Sequence, residues 1–211
     1  MTDKVITNNQ VSMIGKVLTK FKYSHEVFGE GFYTFKVEVP RLSNTVDIIP
    51  VLISERIVDI NNEIVGKLVE FKGQFRSYNR EEDGKNRLLL TVFVREINVL
   101  EDDKITKNPN YIYLDGYICK DPVYRTTPFG REITDILLAV NRPYNKSDYI
   151  PCISWGRNAR FLDEFRVGEH IRVWGRIQSR EYQKKLSEDK VITRTAYEVS
   201  ISKIEVVDSE D

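Results

Sequence analysis

Apolar and polar residues alternate with a period of two through residues 32–39, 88–94, 171–177 and 197–207. That spacing puts every second side chain on the same face of a strand, so each stretch is predicted to form a half-buried strand. Helical character is confined to two short stretches, 56–64 and 158–165, each placed just before a Val-Gly that opens a strand, Val65-Gly66 and Val167-Gly168.

The pattern occurs twice. Asp47-Ile48-Ile49-Pro50-Val51 is echoed by Asp148-Tyr149-Ile150-Pro151-Cys152, 101 residues later, and residues 65–77 are echoed by residues 167–179 at nearly the same offset. Such self-similarity predicts two related domains. Between them, residues 101–110 are charged and polar and contain Pro109, the composition of an exposed linker. The predicted organisation is a diverged first domain over residues 1–103, a linker over 104–110, a second domain over 111–207 and a short acidic terminus over 208–211. About five strands with one short helix describes an oligonucleotide-binding (OB) barrel. The expected fold is therefore all-β, two tandem five-stranded OB barrels each with a short helix. A β-sandwich would need seven strands in each half, a tight fit.

Alternation also assigns faces. In the strand from residue 171 to 182, Ile171, Val173, Gly175 and Ile177 are expected inward, and Arg172, Trp174, Arg176, Gln178, Arg180 and Tyr182 outward. From residue 149 to 155, Ile150 and Cys152 fall in the core, with Tyr149, Pro151, Ile153 and Trp155 on the opposite face. Large aromatics in water beside arginines suit stacked bases and phosphates. Packing under a loop, or a subunit interface, would account for either ring taken alone.

Composition narrows the chemistry. The formal net charge is zero, with 32 Lys and Arg against 32 Asp and Glu, so any nucleic-acid site has to be a local patch. Residues 111–199 hold 15 basic and 12 acidic side chains, whereas residues 1–110 hold 16 of each. The surplus lies in the second half. Cys119 and Cys152 form no CxxC pair, and the only histidines are His25 and His170. Neither a metal site nor a disulfide framework is expected, nor any cofactor. No stretch of eighteen apolar residues and no apolar leader occurs, so no membrane partner is expected, and a reducing cytoplasm, at the nucleoid, is the expected location.

The motifs Asp121-Pro122-Val123-Tyr124-Arg125-Thr126-Thr127-Pro128-Phe129-Gly130, Leu138-Ala139-Val140-Asn141-Arg142-Pro143 and Trp155-Gly156-Arg157-Asn158-Ala159, followed by Val167-Gly168 and Gly175-Arg176-Ile177-Gln178-Ser179-Arg180-Glu181-Tyr182, resemble those of bacterial single-stranded-DNA-binding proteins. The resemblance runs from residue 111 to about 207, in order and spacing. It implies a non-enzymatic OB fold that binds single-stranded DNA without sequence preference in replication, recombination or repair. The family's stacking rings would fall on Tyr144, Tyr149, Trp155 and Tyr182. Backbone contacts would fall on Arg142, Arg157, Arg176 and Arg180, with Lys184 and Lys185 in the following loop; Arg172 and Trp174 complete the outward row. It also implies four OB barrels around one particle, which two chains would supply as a homodimer.

The first half departs from this pattern. Ile48 stands opposite Tyr149 and Ser54 opposite Trp155, so stacking rings are missing there. Lys72, Arg76, Tyr78 and Arg80 partly refill the surface as a secondary DNA-binding set, and the task of this half is either weak binding or pairing of subunits. The family's flexible tail with an apolar tip is not matched by Val206-Val207-Asp208-Ser209-Glu210-Asp211, so recruitment of replication proteins by that route is not expected. Asp47 and Asp148 read as turn formers at strand starts, Phe28-Gly29-Glu30-Gly31 as a hairpin and His170 as structural. No converging carboxylates or nucleophile with its base marks an enzyme. The main competing reading is an interaction scaffold built of OB barrels, and RNA is a third.

Overall fold

The computed structural model describes residues 7–43, 45–82, 84–101, 105, 107–187 and 190–207, and of residues 82, 85–86, 184–187 and 190 only the backbone. The expected acidic terminus, 208–211, lies outside the described residues, as do the side chains of Lys184 and Lys185.

Among the described residues, twelve strands and one helix follow in order: β1 (Asn9–Val17), β2 (Lys22–Val27), β3 (Glu30–Pro40), β4 (Val46–Ser54), β5 (Leu68–Glu82), β6 (Lys85–Val99), β7 (Asn110–Ile118), β8 (Val123–Thr126), β9 (Glu132–Arg142), β10 (Lys146–Trp155), α1 (Arg157–Asp163), β11 (His170–Ser187) and β12 (Lys190–Val206). In the first half, β1 pairs with both β3 and β5, β3 with β4, β4 in parallel with β6, and β6 with β5. These pairings close a ring of five. The second half repeats it with β7, β9, β10, β12 and β11. Both halves are five-stranded OB barrels, and each carries a sixth strand the alternation did not predict. β2 and β8 lie outside the rings, paired with β3 and β9 respectively.

Alternation fills the interiors. Met13, Val37, Ile49, Phe71, Phe75 and Val92 are buried in the first barrel, and Ile112, Leu138, Val140, Ile150, Val173 and Ile177 in the second. Val, Ile and aromatics suit this role because they pack well on a pleated, half-buried surface.

Only the second barrel has the expected helix. α1 buries Ala159 and Leu162, and Thr134 Oγ1 donates to the Ala159 carbonyl at 2.7 Å. The equivalent stretch of the first barrel, 56–64, is a series of turns instead. There Asp59 Oδ1 accepts the Asn61 N–H at 3.0 Å and the Asp59 carbonyl accepts the Asn62 N–H at 3.1 Å. A side-chain turn at Asp59, beside β-branched Ile57, Val58 and Ile60, outcompetes a helix too short to hold itself.

The barrels join along β1 and β7, which pair antiparallel from Asn9 opposite Leu114 to Met13 opposite Asn110. One twelve-stranded sheet therefore runs through both. The join is close to two-fold symmetric. Beside it, each within its own barrel, Asn9 grips Phe75 by two bonds, its Nδ2 donating to the carbonyl and its Oδ1 accepting the N–H, both 2.8 Å, and Asn110 grips Ile177 the same way at 2.7 and 2.9 Å.

Across the join, Asp47 Oδ1 accepts the Ser179 N–H at 2.7 Å and Asp148 Oδ1 the Ser77 N–H at 2.8 Å. These aspartates are 0% and 1% exposed. They are cross-barrel acceptors rather than the turn formers expected.

Candidate nucleic-acid interface

β10 presents Tyr149 and Trp155 outward, 44% and 40% exposed. Between them the face is less open than alternation predicts, because Ile153 is buried and Pro151 half-buried. Tyr149 is fixed from the other barrel, its N–H donating to Ser77 Oγ at 2.7 Å. Tyr144 stands in the β9–β10 turn with φ +64 and is 93% exposed. A tyrosine in the left-handed region carries a steric cost, which the tight turn imposes. Tyr182, on the long β11–β12 hairpin opposite Arg194, is 38% exposed. All four rings are open to solvent.

The cations divide. Arg157, at the start of α1, and Arg180 are exposed, with Arg180 Nε 3.8 Å from Glu198 Oε1. Arg142 is half-buried at the join, and its Nη1 lies 3.3 Å from Asp148 Oδ1. Arg176 faces the first barrel: Nη1 is 3.7 Å from Asp47 Oδ2 and Nη2 donates to Gln178 Oε1 at 3.1 Å. Burial, then the neighbouring Arg41 charge, lowers the Arg176 pKa. Gln178, expected outward, is buried with its amide on Glu198 at 2.7 Å, because the first barrel covers this length of β11.

Arg172 and Trp174 are taken up elsewhere, on the outer face of β7, β11 and β12. Arg172 Nε donates to Asp115 Oδ2 at 2.9 Å, and the Trp174 ring lies 5.1 Å from Tyr113 with Lys203 Nζ 4.3 Å above it. His170, 2.5 Å from Asp115 through Nε2 and stacked on Tyr117 at 4.3 Å, belongs to the same cluster.

In the first barrel, Tyr78 and Arg80 are exposed on β5, and exposed Lys72 lies 3.3 Å from Glu96. Arg76 is largely covered. Its guanidinium sits 4.1 Å over the Phe93 ring, and its Nε is buried without a hydrogen-bond partner. Burial, then repulsion from Arg142 and Arg95, lowers its pKa to about 10.

Sequence reasoning passed over three exposed groups. Phe129 is 92% exposed at the tip of the β8–β9 turn, and Phe28 is wholly exposed at the corresponding β2–β3 turn. Each adjoins a positive-φ glycine, Gly130 and Gly29, and an aromatic inside a turn sequence was the available signal. The third is Arg95, exposed with its guanidinium 4.9 Å over Phe93. Among the described residues no cluster of three or more His, Cys, Asp or Glu could hold a metal. None of the described helices is long and apolar enough to cross a membrane.

Comparison with known proteins follows this division into two barrels. Residues 109–207 match the single-strand binding protein family. Single-stranded DNA-binding protein A of Bacillus subtilis is 32% identical over 96 residues, covering 42% of this chain and 56% of its own length. Single-stranded DNA-binding protein 3 of Listeria innocua is 36% identical over 81 residues, covering 35% of this chain and 51% of its own length. The chain thus spans about half the length of these relatives. The wild-type single-stranded DNA binding protein from Thermus aquaticus, at 20% identity, superimposes with a TM-score of 0.76 over 96% of this chain and 94% of that one. That likeness extends the fold to both barrels. The second barrel is thus the part of the chain that is similar to the single-strand binding protein family.

Proposed function

We propose that the chain binds single-stranded DNA without sequence preference and without catalysing a reaction, protecting unpaired strands during replication, recombination or repair. The carrying observation is the exposed ring set Tyr144, Tyr149, Trp155 and Tyr182 on a barrel of this family. Every base has a π-face, so rings held open by a rigid sheet stack any sequence. Arg142, Arg157 and Arg180 neutralise phosphates along the row, with Lys184 and Lys185 extending it on the β11–β12 hairpin. Arg172 and Trp174, engaged with Asp115 and Tyr113, stand apart and steer the strand from a distance. Lys72, Arg76, Tyr78 and Arg80 form the secondary surface. Two chains, supplying four barrels, make up the working particle at the nucleoid of the cytoplasm.

Titration with oligo-dT is expected to quench tryptophan fluorescence, with log affinity falling against log salt by about 0.7 for each phosphate contacted. Tyr149→Ala, read by quenching, and Trp155→Ala, read by anisotropy of a labelled strand, are each expected to cost about 1 to 3 kcal/mol. A wild-type protein that shows neither quenching nor salt dependence would be an interaction scaffold instead.

A further inference from the structure

Two clefts flank the join between the barrels, related by its approximate two-fold. The first, about 920 Å³, is lined by Lys72, Arg76 and Arg95 of the first barrel and by Tyr111, Arg142 and Tyr144 of the second. Its twin, about 890 Å³, contains Arg41, Lys107 and Arg176. Nearly the same backbone frame builds both, so the side chains that differ are not required by the frame.

Each cation of the twin is matched to a carboxylate. Arg41 makes a bidentate contact with Asp47 at 2.6 and 2.8 Å, Arg176 lies 3.7 Å from Asp47, and Lys107 pairs with Glu70 at 2.6 Å. The first cleft is different. Arg76 and Arg95 lie 4.1 and 4.9 Å from one Phe93 ring, with no carboxylate partner for either among the described residues. Arg142, the counterpart of Arg41, touches Asp148 through one contact of 3.3 Å.

The repeat places Ser43 where the first cleft has Tyr144, Gln10 where it has Tyr111, Ser200 in place of Phe93 and Ser202 in place of Arg95. Arg76 donates from Nη2 to Gln74 Oε1 at 2.7 Å and has a buried Nε without a hydrogen-bond partner. Arg176 Nη1 in the twin is likewise unbonded but has Asp47 3.7 Å away, so what poises the first cleft for an anion is guanidiniums held together without a paired acid. Repulsion from Arg142 and Arg95 helps lower the Arg76 pKa, and a bound phosphate would relieve it.

We propose that this cleft is a phosphate-binding passage for single-stranded DNA: a strand leaving the stacking row at Tyr144 crosses the join, with Arg142, Arg95 and Arg76 contacting its backbone, and continues onto the first barrel. The proposal rests on the single-strand reading above. It makes the first barrel a continuation of one track, reached through Arg95 and Phe93, rather than a separate weak site.

The test uses the full chain and two strands, an oligo-dT of about 8 nucleotides, within the span of one OB fold, and one of about 40. Arg76→Ala/Arg95→Ala is expected to bind the long strand about tenfold or more weakly, with the salt slope reduced by about 0.7 for each phosphate no longer neutralised, and to bind the short strand like wild type. Arg95→Ala alone, an exposed change that leaves the interior intact, is expected to lower the slope by about 0.7. Lys107→Ala in the twin cleft is expected to change neither. Equal affinity for the long strand in variant and wild type overturns the passage, as does an equal loss on both strands. If neither oligomer quenches the wild type, the single-strand reading itself fails, a result distinct from either.

Discussion

Asp115 collects three partners on the outer face of the second barrel: His170 Nε2 at 2.5 Å, Arg172 Nε at 2.9 Å and the Tyr113 hydroxyl at 3.3 Å. Burial pushes its pKa up, but the hydrogen bonds from His170 and Arg172 outweigh this and hold it below the usual carboxylate value of 3.8. A lowered acid contributes stability that is fully present above its unfolded pKa and is lost as pH falls through its folded one. Thermal melts are therefore expected to show the wild type losing stability below about pH 4, with Asp115→Asn flatter there and about 1 kcal/mol less stable at pH 7, where a charged hydrogen bond is forfeited. A variant with the same acid limb as wild type would remove Asp115 from this role. Arg172 illustrates what one strand's pattern conceals. Parity placed it outward, and outward it is, but its acid lies 57 residues earlier on β7. Tyr149 and Trp155 were legible because an exposed ring needs only its own strand's parity, whereas an arginine's availability depends on which strand arrives beside it.

At the scale of the strand, alternation alone cannot register a slip between partners. β11 and β12 pair as Trp174 opposite Lys203, then Gly175 opposite Ile201, so Ser202 is extra, and β5 and β6 slip equivalently at Lys72 and Gly73. A bulge of this kind bends the ladder and draws the two backbones together. A Cβ on Gly175 would stand 2.1 Å from the Ser200 carbonyl oxygen, and one on Gly73 equally close to that of Phe93. Backbone cannot swing aside as a side chain can. Gly175→Ala is thus expected to cost about 2 kcal/mol, a fall in melting temperature of about 4 to 8 °C for a chain of this size. A melting temperature equal to wild type would show that the barrel opens freely there. The repeated Val-Gly-x-x-(Val/Ile) and Gly at equal offsets made the strands legible from the sequence. The helix was legible only in the second barrel, since 56–64 and 158–165 look alike until Asp59 closes its own turn.

The 101-residue echo told of two barrels, but not of how they meet. Asp47 and Asp148 look like ordinary strand-start aspartates, and their acceptance of Ser179 and Ser77 amides appears only when residues about 132 and 71 positions apart come together. Arg41 also donates to the Ser179 carbonyl at 3.1 Å, and Ser77 Oγ accepts from Tyr149. Removing either aspartate would strand a buried N–H and an arginine, a loss of about 3 kcal/mol each. With β1 and β7 also paired, neither barrel unfolds without exposing polar groups of the other, so the two are expected to melt as one unit. Both tryptophans, Trp155 and Trp174, lie in the second barrel, so their fluorescence follows that barrel while far-UV circular dichroism follows both. In wild type the two signals are expected to coincide, with calorimetric and van't Hoff enthalpies equal. In Asp47→Ala/Asp148→Ala they are expected to separate, because the join then keeps the five-residue β1–β7 ladder and scattered bonds such as Tyr149 N–H to Ser77 Oγ but loses its buried charged links. Separate transitions in wild type, or coincident ones in the double variant, would mean the aspartates do not couple the barrels, and that Tyr149 keeps its place without the first barrel's hold.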